Sequence, residues 1–269
     1  MRLTVLADNN TLIDSYYVGE PAVSYYIEDN DDKVLLDVGY SDVFMQNAAA
    51  LGLDLHNVKT ICLSHGHNDH TRGLKYLQQG GYLRNTEIIA HPDLFEPRSY
   101  QDLEIGAPFT KKEMQDFCKL TLSKKPVPIT PNLIYLGEIP ATVAFEPRRQ
   151  IGTIVTNGQI QPDYVYDDSA LVYQSKQGLF IITGCSHSGI CNIAEYAKKV
   201  CNDSRLYGVI GGFHLFRDDA RLRQTITYFQ DNHVSALFPA HCVSLKAKSI
   251  MFNSLDIQEV GVGVVIDVE

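Results

Sequence analysis

The 269-residue chain predicts an α/β (α+β) fold: a four-layer αβ/βα sandwich, with two mixed β-sheets packed face to face and helices on the outer faces. Two observations predict it. Short apolar, strand-like runs alternate with segments of helical spacing, and this alternation occurs in two separate series, one before residue 91 and one after residue 170. The length fits a single domain spanning residues 1–269 with a substantial core.

The first series opens with strands at Leu3–Ala7, Ala22–Glu28 and Lys33–Asp37. Asn30, Asp31 and Asp32 read as a hairpin turn between the last two. From Asp42 to Leu51 the apolar residues Val43, Phe44, Ala48 and Leu51 share one helical side, and Gly52 is a stop signal. Val58–Leu63 is a buried strand that runs straight into a histidine cluster. A helix from Asp69 to about Gln78 and a strand Glu87–Ala90 ending at His91 close the series.

Residues 92–150 are less regular and carry several prolines. They read either as a surface excursion or as a lid or substrate-pocket wall that covers a site. Their one clear helix begins at Thr110-Lys111-Lys112-Glu113, where Thr and Glu stand at capping-box spacing. The second series then gives strands at Leu171–Tyr173, Leu179–Thr183, Leu206–Ile210 and Ala236–Phe238. Helices from Ile190 to about Val200 and from Arg221 to Gln230 lie between them.

Composition narrows the function. The net charge is −9 and the isoelectric point about 5.4, with no Lys/Arg block. Nucleic acid and anionic membranes both demand a basic face, so neither is an expected partner. A small molecule, phosphorylated or not, is the expected one. The N-terminal residues lack the pattern of a signal peptide, and no apolar run is long enough for a spanning helix. Six scattered cysteines in a long chain read as reduced thiols, and the expected location is cytoplasmic.

The histidines carry the chemistry. Five follow directly on apolar runs: His65 and His67 after Leu63, His187 after Ile181-Ile182-Thr183, His214 after Ile210, and His241 after Leu237-Phe238. Residues at strand ends converge on one edge of a sheet, which packing alone does not explain. In Ser64-His65-Gly66-His67-Asn68-Asp69-His70, an extended backbone points His65 and His67 the same way, able to chelate one metal. A helix starting just after would send Asp69 and His70 toward a second metal about 3.5–4 Å away. Nitrogen and carboxylate donors suit Zn²⁺ first, and also Mn²⁺ or Fe²⁺. His91 either binds substrate or donates a proton as a catalytic residue, or is a structural hydrogen bonder, while His56 and His233 lie in solvated turns. Cys62 and Cys242 read as small buried apolar residues. The helix opening at Ser188-Gly189-Ile190, with Arg98, Arg148 and Arg149, is a candidate for anion recognition.

The motif His65-x-His67-x-Asp69-His70 after an apolar strand, with Asp37-Val38-Gly39 upstream, resembles the metallo-β-lactamase superfamily. Thr183-Gly184-Cys185-Ser186-His187, Gly211-Gly212-Phe213-His214 and Pro239-Ala240-His241-Cys242 narrow the resemblance. Together they are similar to the dihydropterin-type branch, which takes its name from a synthase of a ribofuranosyl-aminobenzene phosphate conjugate of a reduced pterin. The resemblance implies a metal-dependent hydrolase that uses two divalent ions to activate water against a small ester or phosphoester. It also implies an alternative, a pterin-pathway transferase with a pterin-like substrate. His65, His67, Asp69, His70 and His241 match ligand positions, Asp69 also orienting the nucleophile, and Asp37 matches the acid that orients a ligand by hydrogen bonding. His187 and then His214 are candidates for the remaining ligand. Three departures stand out. Cys185 occupies the place of the bridging Asp, which implies either a bridging thiolate or a bridge of water alone with His187 supplying the nitrogen, and there is no histidine between His91 and His187. Val243-Ser244 also replaces the branch's usual Thr-Gly.

Overall fold

Both series of apolar runs close into mixed sheets in the computed structural model, which describes residues 1–269. The first sheet orders its seven strands Val265–Asp267, Arg2–Ala7, Ser24–Asp29, Asp32–Leu36, Thr60–Cys62, Glu87–Ala90 and Lys119–Leu122. Pairing is antiparallel up to the Ser24–Leu36 hairpin and parallel beyond it. The second orders six: Ala236–Pro239, Leu206–Gly211, Gly178–Thr183, Ala170–Ser175, Leu133–Tyr135 and Val127–Pro128. Here the first three are parallel and the rest antiparallel.

The strands' two-residue period builds the layers. Phe180 and Ile182 join Leu3, Val5, Tyr25 and Leu36 in the apolar layer between the sheets. Their neighbours Leu179 and Ile181 face the other way, against helices Ile190–Cys201, Ala220–Asp231 and Leu245–Phe252, through Ala194, Leu222, Phe229 and Met251. On the far side, Leu35, Ile61 and Ile88 pack against Val43–Ala50, Leu74–Gln79 and Lys111–Phe117. Four layers result, as the sequence predicts.

Three expectations are revised. The helix after the histidine motif is two pieces, Asn68–Thr71 and Leu74–Gln79. The break falls at Gly73, where a Cβ would collide with the Val38 carbonyl. Residues 92–150 are more regular than expected. They add the strand Lys119–Leu122 to the first sheet and two strands to the second. Arg98–Tyr100 and Leu103–Glu104 form a small third sheet with Thr153–Thr156 and Gln159–Pro162. These strands are two to four residues long, too short for a legible period. Finally, the sequence reading passed over helix Leu245–Phe252, although Ser244 caps it by accepting the Ala247 N–H. No helix is long and apolar enough to cross a membrane.

Strand direction sets up the site. Leu36, Cys62, Thr183, Gly211 and Pro239 each end a strand of the parallel stretches, and the chain turns there into Asp37, Ser64, Cys185, His214 and His241. Such carboxyl ends are where open α/β sheets bind ligands.

Candidate metal centre

Sharp turns at these strand ends force unusual backbone. Asp37, Ser186, His214 and His241 all have positive φ, between 47° and 58°. Side chains other than glycine adopt this region at a cost, and the surrounding contacts must hold them there.

Asp37, fully buried, organises the first half of the site. One carboxylate oxygen accepts the Ser64 N–H at 2.7 Å, and the other accepts both Ser64 Oγ–H and His70 Nδ1–H at 2.7 Å. Since the one hydroxyl hydrogen of Ser64 goes to Asp37, His65 Nδ1 must donate to Ser64 Oγ, 3.0 Å away. His65 is thereby left with an Nε2 lone pair facing inward, and the His70 Nε2 faces inward too, free to ligate once its proton is released. His241 is fixed the same way from another direction: its Nδ1 donates to Asn9 Oδ1 at 2.9 Å, and its backbone N–H to Asp8 at 2.9 Å.

These nitrogens meet. His65 Nε2 lies 3.0 Å from His67 Nδ1, close enough to share a proton or a cation. Asp69 Oδ2 stands 3.5 Å from His70 Nε2 and 3.3 Å from His241 Nε2, and Cys185 Sγ lies 3.2 Å from His70 Nε2. Two donor groups emerge, each with ligand atoms within 4.8 Å of one another: Asp69, His70, Cys185 and His241, and His65, Cys185 and His187. Cys185 belongs to both. The His187 ring also packs on those of His65 and His67, at 4.8 and 4.9 Å between centroids.

The site's electrostatics suit a cation. Burial pushes His67 down to about 3 and holds His65 and His187 well below the usual histidine range. All three are therefore neutral at pH 7, as ligation requires. Burial also opposes a charge on His70, but Asp69 and Asp37 flank it and hold its pKa up, at about 9. Asp69 resists burial too, and His70 and His241 keep its carboxyl well below the usual range. Burial raises the Cys185 thiol, which a nearby divalent ion would deprotonate. His67 Nε2 and His187 Nε2 are buried with no hydrogen-bond partner. Orphaned nitrogens are costly in an apolar interior, and a metal is one partner able to satisfy them.

Eight of the ten candidates read from the sequence converge here: Asp37, His65, His67, Asp69, His70, Cys185, His187 and His241. His214 stands at the rim, its ring 4.6 Å from His187 and edge-on to Phe216, outside both donor groups. His91 is engaged elsewhere. Its Nδ1 accepts the Asp93 N–H and its Nε2 faces Glu138 at 3.1 Å.

The anion-binding expectation is also corrected. Glu146 already accepts the Cys191 and Asn192 N–H groups at the start of helix Ile190–Cys201, and Asp168 accepts that of Ser188. Arg98 is bound to Asp163 and Asp167, and Arg148 to the carbonyls of Ile139 and Val165, which leaves only Arg149 exposed. Asp8, Asn9, Asp167 and Asp168 went unnoticed in the sequence. Each lies beside a strand end or start, the position that singled out the histidines. Cys242 is more than apolar filling. Its Sγ accepts the His214 N–H at 3.3 Å and lies against Cys185.

The fold and this cluster of strand-end histidines define a class, and the comparisons identify it: the chain belongs to the metallo-beta-lactamase superfamily, whose family model matches residues 17–191. Two proteins of Methanocaldococcus jannaschii are similar along almost their whole length. One, an uncharacterized protein, is 31% identical over 91% of this chain and 91% of its own. The other, 7,8-dihydropterin-6-methyl-4-(beta-D-ribofuranosyl)-aminobenzene-5'-phosphate synthase, is 29% identical over 93% of this chain and 90% of its own. Among solved structures, Tm1679, a metal-dependent hydrolase of the beta-lactamase superfamily, superposes with a TM-score of 0.85 at 28% identity, covering 100% and 99% of the two chains.

Proposed function

We propose that this protein is a metal-dependent hydrolase of small esters or phosphoesters, working through two divalent cations that Cys185 would help to hold. The observation that carries the reading is the membership of Cys185 Sγ in both donor groups. Asp69, His70 and His241 would hold one ion, and His65, His67 and His187 the other. Zn²⁺ suits this mixture of imidazole, thiolate and carboxylate, with Mn²⁺ or Fe²⁺ as alternatives. When bound, such ions acidify a water molecule and polarise a phosphoryl or carbonyl oxygen.

The chain's own residues do the rest. Asp69, ionised and partly exposed, orients the attacking water by accepting its hydrogen bond. His214, pushed down to about 4 by burial and by Arg221 and Arg149, is neutral at pH 7 and lines the mouth beside Phe216. Exposed Arg149 acts on His214 and offers a positive charge to a phosphate at that mouth. The buried sheet ends behind the site exclude bulk water, which strengthens each of these interactions.

A second reading draws on the 29% identical synthase, which matches over 93% of this chain. On it, the same residues bind a reduced pterin and a phosphorylated aminobenzene and promote their condensation. One experiment separates the two. Protein loaded with two equivalents of Zn²⁺ or Mn²⁺ is assayed against a panel of phosphomonoesters, phosphodiesters and carboxylic esters, and its binding of a reduced pterin is measured by calorimetry. Turnover of any ester class supports the hydrolase. Pterin binding without ester turnover supports the synthase. Neither result, with metal demonstrably bound, would sink both.

A further inference from the structure

Three consecutive residues, Asp167-Asp168-Ser169, tie the turns that carry His65, His67 and His187 together at the start of strand Ala170–Ser175. Asp167 accepts the N–H of Gly66, the residue between His65 and His67, at 2.8 Å, and is itself held by Arg98 at 2.6 Å. Ser169 donates its N–H to the carbonyl of Ser64 at 2.9 Å. Asp168 reaches the opposite way, accepting both the N–H and the Oγ–H of Ser188, at 2.8 and 2.5 Å. Ser188 directly follows His187. The segment therefore fixes the His65–His67 turn with one carboxylate and the His187 turn with the next.

Asp168 has one feature that a brace does not need. Both Ser188 hydrogen bonds fall on Oδ2, while Oδ1 is buried with no partner. The side chain is fully buried, and its charge acts on His70 and on Cys185. Burial and the neighbouring Asp167 oppose its charge, and the Ser188 hydrogen bonds and Arg148 offset this only in part, since the carboxyl stays above its usual range.

We infer that Asp168 is a positioning residue of the metal centre, holding the His187 turn against the His65–His67 turn and contributing the buried charge that the cation among them offsets. The inference rests on the two-cation reading proposed above. It differs from a purely structural role in the sign of one effect. If Asp168 served the fold alone, removing its charge would weaken the metal-free protein and leave metal affinity untouched. If it serves the cation, removing the charge relieves the metal-free protein and weakens metal binding.

The test is Asp168→Asn, which keeps the shape and one oxygen to accept from Ser188 but loses the charge. Full-length wild type, Asp168→Asn and Ser188→Ala are titrated with Co²⁺, followed by its ligand-field absorption, and the thermal midpoint of each metal-free protein is measured. Expected for Asp168→Asn is one of two Co²⁺ equivalents weakened about 10–100-fold, the range for partners that orient metal ligands, with an equal or higher metal-free midpoint. Ser188→Ala keeps the charge and should lose less affinity at that same equivalent. Two equivalents binding Asp168→Asn as tightly as wild type overturns the inference, whatever happens to the midpoint. Wild type that binds no Co²⁺ overturns the two-cation reading itself.

Discussion

The two donor groups share Cys185 but are built differently. In the Asp69–His70–Cys185–His241 group, the protein holds each imidazole from behind: Asp37 fixes His70, and Asn9 with Asp8 fixes His241. In the group of His65, Cys185 and His187, only His65 is fixed in that way, through Ser64. His187 and the neighbouring His67 each keep a buried nitrogen without a partner. On the two-cation reading, the first group would be oriented before a cation arrives, and the second would be completed by its own cation. Preorganised ligands lose less entropy on binding, so the first group should fill first and the second at a higher free metal concentration.

Cys185→Ser attacks what the groups have in common and should have the largest effect. A hydroxyl does not replace a thiolate for a borderline-soft ion, so bound zinc measured by elemental analysis should fall from two equivalents to one or fewer. Two equivalents retained would remove the shared thiolate. Asp37→Asn tests the oriented group. Its amide would set a donor against the His70 Nδ1–H, and affinity at that group should drop about 10–100-fold by competitive chelator titration. An unchanged affinity would mean that His70 is not held for a metal.

A smaller effect comes from pH. In the metal-free protein His70 has a pKa of about 9, above the ordinary 6.5. That elevation stabilises the metal-free fold fully below pH 6.5 and is lost as pH rises toward 9. Metal uptake runs in the opposite sense, because His70 must release its proton to ligate, which contributes up to about tenfold in affinity per pH unit over that window, in addition to the proton that the Cys185 thiol gives up. Thermal midpoints and metal titrations at several pH values should therefore diverge; parallel trends would contradict this. The smallest effect is expected from His91→Gln, since His91 is tied to Asp93 and Glu138 outside both groups. Metal content should stay at wild-type level, with a stability change of about 1 kcal/mol for the altered hydrogen bonds. Loss of a metal equivalent would bring His91 back into the site.

Much of this was legible in the sequence because the site uses strand ends. Apolar runs such as Val58–Leu63 and Leu179–Thr183 announce their strands, and the histidines follow them at once. Cys185 stood out because it occupies the place of a bridging Asp. The grouping of ligands was not legible, since it depends on which strand ends the sheet order brings together. Nor were the carboxylates Asp167 and Asp168, whose contacts include backbone amides at Gly66 and Ser188, more than a hundred and twenty residues apart in the chain. The short strands between residues 98 and 162 carry two to four residues each, too few to show a period.

Anomalous diffraction from crystals grown with zinc, recorded on both sides of the zinc absorption edge, tests the shared-thiolate centre most directly. Two anomalous peaks are expected, with Cys185 Sγ in contact with both, Asp69, His70 and His241 around one, and His65, His67 and His187 around the other. A single peak, or two that leave Cys185 Sγ untouched, would contradict it.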